Sequence, residues 1–98
     1  MLDRVREAMF STLAPWLDGA HVLDLFAGSG SLGFEALSRG ADRATFVEGG
    51  PPVVSVLRKN IATLDVEART TVVMADALAP SSWLGDGSFD IEDRKSVV

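Results

Sequence analysis

The 98-residue sequence has no cysteine and a single histidine. The first absence excludes a disulfide framework, a thiolate zinc site and a cysteine nucleophile. The second leaves no histidine-built metal cluster, so no metal is expected. Apolar stretches are broken within about 10 residues, too short for the ~20 that a membrane-spanning helix needs. The opening run Met1-Leu2-Asp3-Arg4-Val5-Arg6-Glu7 is charged and lacks the apolar stretch of a signal peptide. A cytoplasmic location with no membrane partner is therefore expected. Basic residues are the scarcer sign, 9 Lys and Arg against 14 Asp and Glu, for a net charge of −5. That balance gives this stretch no basic footprint for nucleic acid. What remains, 47% hydrophobic and 23% charged residues, is the composition of a globular chain with one modest core.

No internal repeat or low-complexity block is present, and no linker precedes residue 80. Asp3 to Leu17 predicts an amphipathic helix, with Val5, Met9, Leu13 and Leu17 recurring every fourth position and Asp18-Gly19 as its stop. His21 to Phe26 reads as a strand buried on both faces, and Ala27 to Gly30 as a turn. Ser31 to Arg39 predicts a second helix with Leu32, Ala36 and Leu37 inward and Gly40 past its end. Ala44 to Glu48 is a second strand. Gly49-Gly50 breaks the chain, and Pro51-Pro52 suits the first turn of a third helix striped by Val53, Leu57, Ile61 and Leu64. Thr70 to Met74 is a third strand running out at Asp76, and Phe89-Asp90-Ile91 reads as the start of a fourth. This alternation is the pattern of βαβ units on a parallel, Rossmann-like α/β sheet. Three strands and the start of a fourth leave such a sheet incomplete, so residues 1–91 are expected to be the cofactor-binding half of a domain.

Gly28-Ser29-Gly30-Ser31-Leu32-Gly33 fits G-x-G-x-x-G, follows a strand and opens a helix. Glu48 ends the next strand 20 positions after Gly28, the spacing of a ribose-binding carboxylate. The glycines allow a tight turn and close approach of backbone to ligand. Asp24 then separates the possible cofactors. A pyrophosphate loop avoids an anion at the strand end, because like charges in a partly desolvated cleft repel. S-adenosylmethionine carries a sulfonium and an ammonium instead, and an acidic rim suits it better than NAD. The plain alternative for Asp24 is an acid that only caps the next helix.

Four blocks then resemble one family: Asp3-Arg-Val-Arg-Glu-Ala-Met-Phe10, Leu23-Asp-Leu-Phe-Ala-Gly-Ser-Gly-Ser-Leu-Gly33, Glu35-Ala-Leu-Ser-Arg-Gly-Ala41 and Phe46-Val-Glu48. They are similar to the bacterial 16S rRNA (guanine-N2) methyltransferases. The resemblance spans residues 2 to 91 and implies a class I S-adenosylmethionine-dependent fold. It also implies 16S rRNA or the small ribosomal subunit as partner, with a guanine N2 amine as methyl acceptor. By position it implies that Asp24 and the loop of Gly28, Ser29, Gly30 and Gly33 hold the methionine part of S-adenosylmethionine, and that Phe26 and Ala27 also bind the cofactor. Glu48 would take the ribose hydroxyls, and Asp76 with Ala77 would lie near the adenine amine. Asn60, on the helix matching the family's second crossover, is expected to be structural.

Two departures stand out. Gly49-Gly50-Pro51 replaces a charged residue and an Asp or Asn in the family's loop. The family's Asp/Asn-Pro-Pro-aromatic element, which would position the base amine, is expected after Phe89-Asp90-Ile91, where the chain instead reads Glu92-Asp-Arg-Lys-Ser-Val-Val98. No catalytic residue is therefore assigned. Residues 92–98 read as a non-native tail, and the chain is expected to be inactive. A non-catalytic cofactor-binding stub is one alternative; an NAD-dependent oxidoreductase fragment is another. In the family's sheet the fourth strand lies beside the first, which implies an uncovered edge at residues 21–26. Of the single residues, His21 reads as a strand-edge position and Trp16 as core, while Trp83 could cover the adenine. Arg4 and Arg6 suit either phosphate contact or a solvated helix face.

Overall fold

The computed structural model describes residues 3–25 and 27–79, and the backbone of residues 96–97. Its elements run α1 (Asp3–Leu17), β1 (His21–Leu25), α2 (Ser31–Ser38), β2 (Arg43–Glu48), α3 (Pro51–Leu64), a single 3-10 turn (Glu67–Arg69), β3 (Thr70–Met74) and β4 (Ser96–Val97). The sheet order is β3-β2-β1-β4, and every neighbouring pair is parallel. The expected βαβ architecture is present.

Alternation along the strands divides the sheet into two unequal faces. Asp24 pairs with Phe46, and Phe46 with Val72, so these three share one face with Ala44 and Val22. On this side lies the main core, built from Phe10 and Leu17 of α1, Ala36 and Leu37 of α2, and Leu57 and Ile61 of α3 around Phe46. The opposite face carries Leu23, Val47 and Ala77, flanked by Leu25, Val73 and Ala75. Among the described residues, no helix contributes to that second cluster.

The helices turn differently from their simplest stripes. In α1, Val5 is exposed, whereas Phe10 and Leu17 are buried and Met9 and Leu13 partly so. Trp16, expected in the core, is 63% exposed. Successive helical residues lie about 100° apart, and Leu17 takes the inward direction that its neighbour therefore cannot. In α3 the buried set is Val54, Leu57 and Ile61, while Val53 and Leu64 are exposed. The stripe follows three- and four-residue steps rather than starting at Val53.

Ion pairs join α1 to α2. The Arg39 guanidinium lies 4.9 Å over the Phe10 ring and donates to Glu7 Oε1 at 2.9 Å and to Glu35 Oε2 at 3.1 Å. Arg6 Nε stands 3.9 Å from Glu35 Oε1, so Arg6 faces this cluster rather than open solvent.

The edge of β1 also differs from expectation. Phe89-Asp90-Ile91 lies outside the described residues, as do Trp83 and most of 92–98. The strand beside β1 is β4, and it pairs only with His21 and Val22. An edge strand offers unpaired backbone groups that any extended segment can satisfy, whatever its side chains. His21 is consequently flanked by strands on both sides, and its Nε2 lies 2.7 Å from Thr45 Oγ1.

Gly33 marks the tightest approach of α2 to the sheet. A Cβ there would run into the Phe46 ring, with Phe46 Cζ at 2.7 Å. The Gly33→Ala substitution is expected to lower stability by about 1–3 kcal/mol through overpacking. Combined with Phe46→Leu, it should cost less than the sum of the two single changes, read from urea-unfolding midpoints. Strict additivity would show that the ring is not what excludes the methyl group.

Candidate cofactor site

The carboxyl ends of β1, β2 and β3 form the rim where open parallel sheets bind ligands. Between β1 and α2 the chain reverses in a turn closed by the Gly30 N–H donating to the Ala27 carbonyl at 2.9 Å. Gly28 and Gly30 have φ of +56° and +90°, a region that side chains make costly. They differ in surroundings. A Cβ on Gly30 would meet Leu57 and Phe34 atoms at 2.6 Å, whereas one on Gly28 would meet nothing within 4 Å. Gly30 is therefore packed against the core, and Gly28 faces open space.

Two carboxylates reach into this turn. Asp24 is only 8% exposed, and its Oδ2 accepts the Gly33 N–H of the first turn of α2 at 3.2 Å. Burial pushes its carboxyl up from 3.8 to about 6; the Gly33 N–H opposes this shift, and the nearby negative charge of Glu48 adds to it. Glu48 accepts the Gly28 N–H on Oε1 at 2.9 Å and the Gly50 N–H on Oε2 at 3.2 Å. Gly50 is the N-cap residue of α3, so Glu48 joins the glycine turn to the start of that helix.

The remaining sequence-derived positions are arranged less uniformly. Asp76 is exposed, and its Oδ1 accepts the Leu78 N–H at 2.9 Å, closing a local turn after β3. This turn adjoins Glu48: the Ala75 N–H donates to the Glu48 carbonyl at 3.1 Å, and Gly49 approaches Ala75 and Asp76. Ala77 is buried with Leu23 and Val47 on the second face, away from α2. Ala27 is buried, its N–H donating to the Val47 carbonyl at 3.2 Å, whereas Ser29 is exposed. Phe26 lies outside the described residues.

Two participants were not signalled by the motif. The Gly50 amide reads in sequence only as a chain break, yet it holds one oxygen of Glu48. Asn60 Nδ2 donates to the Ser29 carbonyl at 2.9 Å across 31 positions. Among the described residues, no group of three or more His, Cys, Asp or Glu could hold a metal. Nor is any described helix long and apolar enough to cross a membrane.

The raised Asp24 carboxyl has a measurable consequence. Between pH 4 and pH 6 the folded chain holds a proton that the unfolded chain has released. Stability attributable to Asp24 is then full below pH 4 and is lost as pH rises through 6, by at most about 3 kcal/mol. Asp24→Asn keeps an acceptor for the Gly33 N–H without the charge. The variant should be more stable than the parent at pH 7, and the gap should narrow on acidification and close only below pH 4. Urea unfolding of the two proteins across this range measures the difference, in which the other carboxylates cancel; a gap independent of pH would contradict the assignment.

Comparison with known proteins agrees with this architecture. Residues 1–91 match the family described as Conserved hypothetical protein 95. Ribosomal RNA small subunit methyltransferase D of Escherichia coli K12 is 49% identical over 77 residues, covering 79% of this chain and 38% of that protein. The Haemophilus influenzae protein of the same name is 47% identical over 72 residues, covering 74% and 37%. Among solved structures, the C-terminal domain of precorrin-6Y C5,15-methyltransferase from Rhodobacter capsulatus superposes with a TM-score of 0.71 at 28% identity, covering 86% of this chain and 45% of that one. The chain thus spans about two-fifths of the length of these curated relatives. The sheet is part of a class I, Rossmann-like methyltransferase fold. On these matches the chain belongs to the Conserved hypothetical protein 95 family, that of the ribosomal RNA small subunit methyltransferases D.

Proposed function

We propose that residues 1–91 are the cofactor-binding part of an S-adenosylmethionine-dependent methyltransferase acting on 16S ribosomal RNA in the cytoplasm. The acceptor in this reading is the exocyclic N2 amine of a guanine, and the partner is that RNA or the small ribosomal subunit. One observation carries the choice of cofactor. Two amides of the glycine motif, Gly28 in the turn and Gly33 at the start of α2, already face carboxylates of the chain itself. A dinucleotide would bring its pyrophosphate to the start of α2, where such folds bind it. Here the Asp24 carboxylate stands in that place, beside Glu48. Two acids in one partly desolvated pocket repel an anion and attract a cation.

The residues fit S-adenosylmethionine in detail. Each Glu48 oxygen accepts one hydrogen bond from the chain, and a carboxylate accepts about four. Both oxygens therefore remain able to take the vicinal ribose hydroxyls. The open space at Gly28 lets the methionine end approach the backbone, with Asp24 as the nearby negative charge. Asp76, exposed beside Gly49, offers an acceptor to the adenine amine, and Ala77 can offer only its backbone. When bound, S-adenosylmethionine supplies a methyl group on a sulfonium, open to in-line displacement by a nitrogen lone pair. The chain's own contribution is to fix the cofactor's position, from which such transfers gain most of their rate.

The Asp/Asn-Pro-Pro-aromatic element that would orient the guanine amine does not occur in the sequence. The single Pro-Pro pair, Pro51-Pro52, begins α3 instead. In this reading the sequence of residues 92–98 is a non-native tail, although the backbone of Ser96–Val97 pairs with β1, and the 98-residue chain binds cofactor without transferring the methyl group.

Calorimetric titration of the chain with S-adenosylmethionine tests the proposal. Asp24→Asn and Glu48→Ala should each weaken binding by about 1.5–3 kcal/mol, roughly ten- to hundred-fold. Unchanged affinity in both would mean the pocket is misplaced, and tighter binding of NAD would favour the oxidoreductase reading. Incubation with labelled cofactor and unmodified small-subunit RNA should give no incorporation above background.

A further inference from the structure

Helix α3 touches the glycine turn at two points and Glu48 at a third. Leu57 packs in the space beneath Gly30, and Asn60, one turn further along, donates to the Ser29 carbonyl at 2.9 Å. At the start of the same helix the Gly50 N–H holds Glu48 Oε2 at 3.2 Å. The peptide between Ser29 and Gly30 is therefore held at both ends, its carbonyl by Asn60 and its N–H by the Ala27 carbonyl. This restraint falls between the two residues with positive φ, Gly28 and Gly30, where the backbone is least restricted by its own side chains. A carbonyl left free there could rotate with its peptide plane, carrying the Gly30 N–H away from the Ala27 carbonyl and so loosening the turn that presents the Gly28 N–H to Glu48 Oε1.

From this geometry we infer that Asn60 is a positioning residue. By tethering the Ser29 carbonyl to α3, it keeps the glycine turn and the Glu48 carboxylate at the fixed separation that the cofactor must span. The inference rests on the cofactor reading above for its consequence, but the tether itself is a property of the unliganded chain. Asn60 need not touch the cofactor. Its effect passes through Ser29.

The experiment therefore has two readouts on the full chain. The first is amide hydrogen exchange at Gly28 and Gly30 without cofactor, compared between the parent, Asn60→Asp and Asn60→Leu. Both variants nearly match the size of asparagine; the first replaces the donor with an acceptor, and the second removes hydrogen bonding altogether. Loss of one such bond is expected to speed exchange at these two amides about three- to tenfold. Exchange in the middle of β2, which Asn60 does not touch, should stay the same. The second readout is calorimetric affinity for S-adenosylmethionine, which should fall by a similar factor in both variants. Unchanged exchange at Gly28 and Gly30 in Asn60→Asp overturns the inference, as does faster exchange spread over the whole sheet, which would mark a general loss of packing. Faster local exchange with unchanged affinity also overturns it, because the tether would then not position the site. If the parent takes up no S-adenosylmethionine while the variants still exchange faster at the turn, the cofactor reading falls and the tether stands.

Discussion

A carboxylate inside a sheet needs a partner, and Asp24 has one hydrogen bond to the backbone at Gly33. Much of the chain is arranged around that pairing. For the Gly33 N–H to reach β1, α2 must lie close to the sheet, which requires a residue without a Cβ over the Phe46 ring. Close approach of α2 requires the chain to reverse within the four residues Ala27 to Gly30, which requires positive φ at Gly28 and Gly30. The tight reversal brings Gly28 within reach of Glu48 at the end of the neighbouring strand. Each step follows from the one before by sterics or by hydrogen-bond satisfaction. The third glycine of the motif thus serves the carboxylate as much as the helix packing.

Such an arrangement costs the fold something. The Asp24 carboxyl sits well above its ordinary range because ionising it in this place is unfavourable. A chain selected only for stability would carry an amide or an apolar side chain there. Under the proposed function a cationic ligand would supply the missing compensation; binding sites commonly hold strain and unfavourable charge of this kind.

The sequence revealed those features that depend on local pattern. The alternation of helices and strands was legible because buried parallel strands are short apolar runs and the crossover helices are periodic. The link between Gly28 and Glu48 was legible because their spacing follows from one βαβ unit. What could not be read was the choice between adjacent apolar residues. Met9 against Phe10, Trp16 against Leu17 and Val53 against Val54 each offer two inward candidates about 100° apart on a helix, and only docking against the sheet selects between them. The pairing of Ser96–Val97 with β1 was hidden for another reason: a parallel backbone ladder can be made by any extended segment. The partner of Asn60, expected to be structural, was hidden likewise, since it is a carbonyl that any residue would present.

The strand order has a consequence for how the chain acquires its shape. In β3-β2-β1 each strand lies beside the one made just before it, so every pairing in this part of the sheet closes over a single intervening helix. Loops of that length carry a modest closure entropy, and assembly can proceed one βα unit at a time from the N-terminus. A growing chain can add each strand to a finished neighbour as it leaves the ribosome, without waiting for sequence still to be synthesised. The pairing of β1 with β4 is the exception. It spans from His21 to Ser96, and so the oldest strand in the sheet is the one whose second edge is matched last.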